Sequence, residues 1–194
     1  PVGAADLRAG EAAQAKLPSG GWVVPVVARA AGVADLCTVA GVGEQWQVEN
    51  PPKLPGTVDV YFTDASGARL AQDIRPLGAS KLVWDFVVET DLAEARVEVS
   101  LPDLSGVPAD QVVYLTDVDA GKTIYARTMP SYSFVTDVDG AQRHFQLVVQ
   151  PKGADNLVIT SASAQCTEAG AVITYSVSRP CQVNVTVLNI AGRP

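Results

Sequence analysis

Two short segments, Asp117-Val118-Asp119-Ala120-Gly121 and Asp137-Val138-Asp139-Gly140, set alternate carboxylates just ahead of a glycine. Alternating oxygen ligands before a sharp turn are how a calcium loop presents itself. Neither segment completes D-x-D/N-x-D/N-G, and neither is followed by the bidentate glutamate. Both read as hairpin turns, and no metal is expected. Cys37, Cys166 and Cys181 show no C-x-x-C spacing and His144 is the single histidine, so zinc and thiol-redox chemistry find no ligand set. Two accounts of the thiols stand: buried side chains, or one disulfide in an oxidising compartment with the third thiol left over or bonded to another molecule. His144 has no companion histidine for a charge relay. The carboxylates fall in turns or on polar strand faces, where solvation and not a glycosidase pair is the default. Trp46 with Tyr61, or Tyr125 with Tyr132, would make a sugar-stacking platform and brings in surface glycans as ligands. Aromatics are only 6% of the chain, however, and a core needs most of them. Asn184-Val185-Thr186 matches an N-glycosylation acceptor but falls inside a strand-like run. No catalytic residue and no cofactor is assigned, and the chain is not read as an enzyme.

The 194 residues have room for one large or two small domains, and 47% apolar residues are ample for a buried core. Fourteen basic residues against 21 acidic ones give a net charge of −7, a field that repels nucleic acid. No apolar run approaches the ~20 residues of a membrane-spanning helix. Residue 1 is proline, and no charged-then-apolar leader follows it. The expectation is a processed product, an excised fragment, or one period of a longer tandem repeat.

The elements that must position these residues are almost all strands. Val58, Val60 and Phe62 alternate with Asp59 and Tyr61, and after the turn Asp64-Ala65-Ser66-Gly67 a strand returns over 70–74. Leu82, Trp84, Phe86 and Val88 share one face, as do Val97, Val99 and Leu101. Runs at 111–118 and 122–128, and at 132–136 and 144–149, flank the two acidic turns as hairpins. Residues 4–16 are alanine-rich and could form a short, weak helix or as easily lie extended. The reading is all-β: an N-terminal segment 1–32 carrying a donor or closing strand, a β-sandwich over 33–150 with eight or nine strands, and a partial Ig-like sandwich over 151–194. A linker falls at Pro151-Lys152-Gly153-Ala154-Asp155.

The stretch VITYSVSRPCQVNVTVLNIAGRP, with Tyr175, Ser178, Pro180, Asn189, Gly192 and Arg193, resembles the first half of the Ig-like domain of the flagellar hook-capping protein type. Leu17-Pro18-Ser19-Gly20-Gly21-Trp22 resembles the turn that opens that domain's final strand, with Trp22 in the tyrosine place. The order is inverted, and the W-x-G that usually precedes the turn is missing from 4–16. The resemblance implies an extracellular or cell-surface bacterial protein and a sandwich split between the two ends of the chain.

A split sandwich leaves strand edges and an apolar face that something must cover. Trp22, Val23, Val24 and Val26 form a strand apolar on both faces, and Pro25 within it suits an edge or a bulge. Ile173, Tyr175, Val185 and Val187 supply the face to be covered. Closure within one chain gives a circular permutant. Closure between chains gives a head-to-tail homopolymer, an extracellular filament built by strand complementation. The alternative is a binding or adhesion accessory module of a larger secreted protein. Deleting 1–32 is expected to abolish assembly and leave the central domain folded. Cys166 and Cys181 flank a strand of roughly 20 Å, too long for a direct bond between Cα atoms that must lie within about 7 Å. Cys37 is therefore expected to bond one of the other two, within the chain or across the subunit junction.

Overall fold

The computed structural model describes residues 20–153, 159–167 and 170–177. The chain divides into two compact units, Pro1–Ala154 and Asp155–Pro194. The helical reading of 4–16 and the strand expected over 183–190 lie outside the described residues.

The first unit is all-β. Its strands are β1 (Trp22–Ala30), β2 (Val33–Gly43), β3 (Trp46–Glu49), β4 (Val58–Thr63), β5 (Arg69–Pro76), β6 (Leu82–Thr90), β7 (Arg96–Ser100), β8 (Gln111–Asp117), β9 (Lys122–Tyr125), β10 (Ser131–Val135) and β11 (Ala141–Pro151). They form one sheet in the order β10-β7-β1-β2-β5-β4-β6-β11-β8-β9, with β3 attached to β5. Every ladder is antiparallel except β2 with β5. The sheet curls on itself: Phe134 and Tyr132 of the terminal strand β10 reach across to Phe145 of β11, with ring centroids 5.9 and 6.0 Å apart. The result is a nearly closed, barrel-like sandwich.

Alternation along the strands fills its interior. Trp84, Phe86, Val88, Val97, Val99 and Leu101 are all buried in one core. Trp22 meets Trp84 edge-on at 5.9 Å, and the Trp84 indole N–H donates to the Asp73 carbonyl at 3.1 Å, so the largest core side chain leaves no polar atom unpaired.

The N-terminal strand is where the structure departs from the sequence reading. β1 pairs β2 from Trp22↔Val42 to Ala30↔Val33 and pairs β7 over Val27 to Ala30. Its two apolar faces are both used within this unit. Trp22, Val24, Val26 and Ala28 enter the main core, while Val23 joins Val39 and Ile74 in a second cluster. Trp22, Val23, Val24 and Val26 therefore do not serve as a closing strand for the C-terminal sheet, and no domain boundary falls at 32. The physical reason is local. Ala31 and Gly32, with φ of +46° and +85°, form the two-residue turn that folds β2 back on β1, and a neighbour in sequence wins over a distant acceptor. Pro25 does sit as its chemistry asks. It lies in the half of β1 that β7 does not reach, just before a bulge between Val26 and Ala28.

In the second unit β12 (Ile159–Thr167) and β13 (Gly170–Val177) form an antiparallel pair, from Ile159↔Val177 to Thr167↔Gly170.

Two outcomes follow. Trp22→Ala is expected to cost ~3–5 kcal/mol of stability, and removal of 1–32 to unfold the first unit, both read by thermal melting. Gly41 lies under β1, where a Cβ would stand 2.6 Å from the Trp22 carbonyl oxygen and 2.8 Å from Ile74 Cδ1. Gly41→Ala is expected to cost about 1–3 kcal/mol in urea unfolding, while Gly106→Ala, whose nearest neighbour would be 3.5 Å away, leaves the midpoint unchanged.

Candidate functional site

The first acidic turn is an internal brace. The Asp117 side chain is fully buried and receives Nε and Nη2 of Arg143, each at 2.8 Å, and the Ala120 amide at 2.9 Å. Burial, and then the Asp117 carboxylate, push the neighbouring Tyr132 hydroxyl above its ordinary value. Asp119 accepts from the His144 amide at 2.9 Å and meets its Nδ1 at 3.2 Å. Those contacts, the backbone N–H first, hold the Asp119 carboxyl below the usual carboxylate range. In the second turn Gly140 has φ +90°, and a Cβ there would stand 2.2 Å from the Thr90 carbonyl oxygen. Among the described residues no three of His, Cys, Asp or Glu are arranged to hold a metal ion.

The sugar-platform pairs do not form. Tyr61 is buried beneath Arg69, Tyr125 packs on Tyr114 at 5.8 Å and Tyr132 on Phe145. Trp46, on β3, is 39% exposed. Cys37 is an exposed free thiol that makes no disulfide within the chain, and partial desolvation, then Asp35, push it up in pKa. Cys166 lies on β12 opposite Ala171, and Cys181 lies outside the described residues.

A feature the sequence reading missed is a set of three arginine–aspartate pairs on the sheet, each arginine lying over an aromatic ring. Arg69 pairs with Asp59 and stands 3.7 Å from the Tyr61 ring centre. Arg75 pairs with Asp73 at 2.9 Å over Trp84, and Arg143 pairs with Asp117 over Phe134. The first pair is extended further. Asn50 donates to both Asp59 oxygens at 3.0 and 3.1 Å, Arg69 reaches Glu89 at 3.4 Å, and the Tyr61 hydroxyl donates to Glu89 while accepting from Gln142. The only sequence signal was an aspartate between two valines that are themselves buried, Val58-Asp59-Val60.

Clefts indent this unit among the described residues. One of about 490 Å³ is lined by Lys53, Glu89, Asp91, Asp137, Asp139 and Gln142. Lys53 and Asp91 pair within it at 3.2 Å, and Asp91 also accepts from the Gly56 amide. Another, of about 610 Å³, has Gln47, Asp73 and Arg75 on its wall, bonded to one another. In each cleft part of the lining is thus engaged by internal partners.

The second unit differs. Val172, Ile173 and Tyr175 of β13 are 53%, 38% and 42% exposed. Ile173 and Tyr175 share one face, and the register sets Ala164 and Ala162, small residues, opposite them. Of the expected acceptor residues these two are thus brought together on an open face, while Val185 and Val187 lie outside the described residues. Comparison with protein-family models, with curated proteins and with solved structures finds no match.

The buried Asp117–Arg143 pair gives a test of the bracing role. Arg143→Met strands the fully buried Asp117 carboxylate and is expected to cost ~3–5 kcal/mol, whereas the double variant with Asp117→Ala recovers most of that loss. A double-mutant cycle by urea unfolding reads the difference.

Proposed function

We propose that the chain is a non-catalytic structural module of an extracellular or cell-surface protein, in which the first unit is a rigid spacer and the β12–β13 unit is the point of attachment. One observation carries this reading: Ile173 and Tyr175 stand exposed side by side on β13, which among the described residues of this unit pairs with β12 alone, and a two-stranded sheet is marginal in water until something covers it. The likeness of 157–194 to half an Ig-like domain supports it from the side of sequence and motivates the extracellular location. The covering element is a β-segment supplied by another polypeptide. When the supplier is a second copy, the contact is head to tail and builds a fibre. In that case the donor is a segment other than β1, because withdrawing β1 would empty the core of Trp22, Val24 and Val26.

Sedimentation velocity across a wide range of concentration, with dye binding to exposed apolar surface, tests the proposal against the double variant Ile173→Asp, Tyr175→Asp. Self-association lost in the variant supports fibre assembly. A monomer whose dye binding the variant abolishes supports attachment to a different protein. A monomer that binds no dye, with the variant indistinguishable from it, overturns the reading.

A further inference from the structure

The cleft of about 610 Å³ lies within the ~300–1,000 Å³ typical of small-molecule sites. Residues of β3, of the β4–β5 turn, of β5 and of β6 line it. Its floor is organised by one buried carboxylate. Asp73 is 4% exposed. Its Oδ1 accepts from Gln47 Nε2 at 3.0 Å, and its Oδ2 meets Nε and Nη2 of Arg75, each at 2.9 Å. Arg75 also donates through Nη1 to the Val83 carbonyl and rests on the Trp84 ring, 4.9 Å from its centre.

A planar guanidinium and a planar amide are thereby fixed in place without exhausting their bonding capacity. Arg75 has five N–H groups, three of its nitrogens each make one of these contacts, and the side chain is still 33% exposed. Gln47 donates to Asp73 and keeps its carbonyl oxygen as an acceptor. On β6, Asp85 gives Oδ1 to Gln146 Nε2 at 2.9 Å and keeps Oδ2. Thr63 adds a hydroxyl, while Pro76 and Val83 add apolar surface to the same lining.

We infer that this cleft binds a neutral saccharide, whose hydroxyls pair with Arg75, Gln47 and Asp85 while its C–H face packs on Pro76 and Val83. A sugar hydroxyl is donor and acceptor at once, so it satisfies a wall that mixes N–H donors with carboxylate and carbonyl acceptors. Other ligand classes fit less well. Asp64, Asp73 and Asp85 outnumber Arg75 three to one, a field that repels phosphorylated and acidic ligands. A cationic ligand meets the guanidinium at the floor, and among the described residues no three of His, Cys, Asp or Glu are arranged around a metal ion. An apolar ligand would desolvate these polar groups without pairing them. Because Asp73 holds Arg75 and Gln47 beforehand, little side-chain ordering is left to oppose binding. Recognition is by hydroxyl edges and not by aromatic stacking, and it involves the first unit alone, whatever attaches to β13.

Titration of the whole chain, followed by amide and side-chain N–H shifts in NMR, tests the assignment. The probes are glucose, galactose, mannose and N-acetylglucosamine, with spermidine as the cationic comparison, each raised to tens of millimolar. At least one sugar is expected to shift the Gln47 side-chain amide, the Arg75 Nε–H and the Asp64 and Ala65 amides together and to saturate, while spermidine leaves them in place. Asp85→Leu, at an exposed position, is expected to melt with the wild type and to weaken that sugar about tenfold or more, the loss of one good hydrogen bond to a charged group. No saturable shift at these four groups with any of the sugars overturns the proposal. So does a response to spermidine in their place, or an Asp85→Leu chain that binds the sugar as the wild type does.

Discussion

The first unit depends on β1 being buried on both faces. A strand with Trp22, Val24 and Val26 on one side and Val23 on the other cannot lie at the rim of a soluble sheet without exposing one of its two stripes. The fold answers by placing it between β2 and β7, with the aromatic core beneath it and the Val39–Ile74 cluster on its back. The other features follow from that position. Gly41 is bare because the backbone of β1 comes too close for a side chain, and the bulge after Val26 lets β7 pair with only the far half of the strand.

The outward polar layer has its own logic. Three buried or half-buried aspartates each take an arginine, and each arginine rests on a ring, so the guanidinium keeps a planar partner below and a carboxylate beside it. Such pairs set register more than they add stability, since desolvation offsets most of the attraction. They join β4 to β5 and β8 to β11, while Asp73 and Arg75 brace β5 within itself. These are connections that apolar alternation alone leaves free to slip.

Much of this architecture could be read from residue order, and the failures have identifiable causes. The strands of Val58-Val60-Phe62, Trp84-Phe86-Val88 and Val97-Val99 announce themselves because one face is apolar and the other is not. β2 carried no such mark. Its sequence VADLCTVAGVG is buried along its second half on both faces, so alternation vanishes. β1 was recognised as a doubly apolar strand, but its partner was sought at the opposite end of the chain because the turn Ala31-Gly32 lacks the Asn-Gly or Asp-Gly signature of a tight hairpin. The arginine–aspartate pairs were invisible because long-range side-chain pairing has no period. Of the candidate site, Ile173 and Tyr175 came from alternation, and they share one face of β13, with Val172 exposed on the other. The cleft around Asp73 gathers side chains from separate strands and a turn, which only three-dimensional register reveals.

The sheet ends in β9 and β10, of four and five residues. Ladders this brief offer few hydrogen bonds to an intruder, and β9 opens with a lysine, the residue most disruptive to stray lateral contact. Neither rim strand therefore gives a second copy of this sheet a long template on which to extend it.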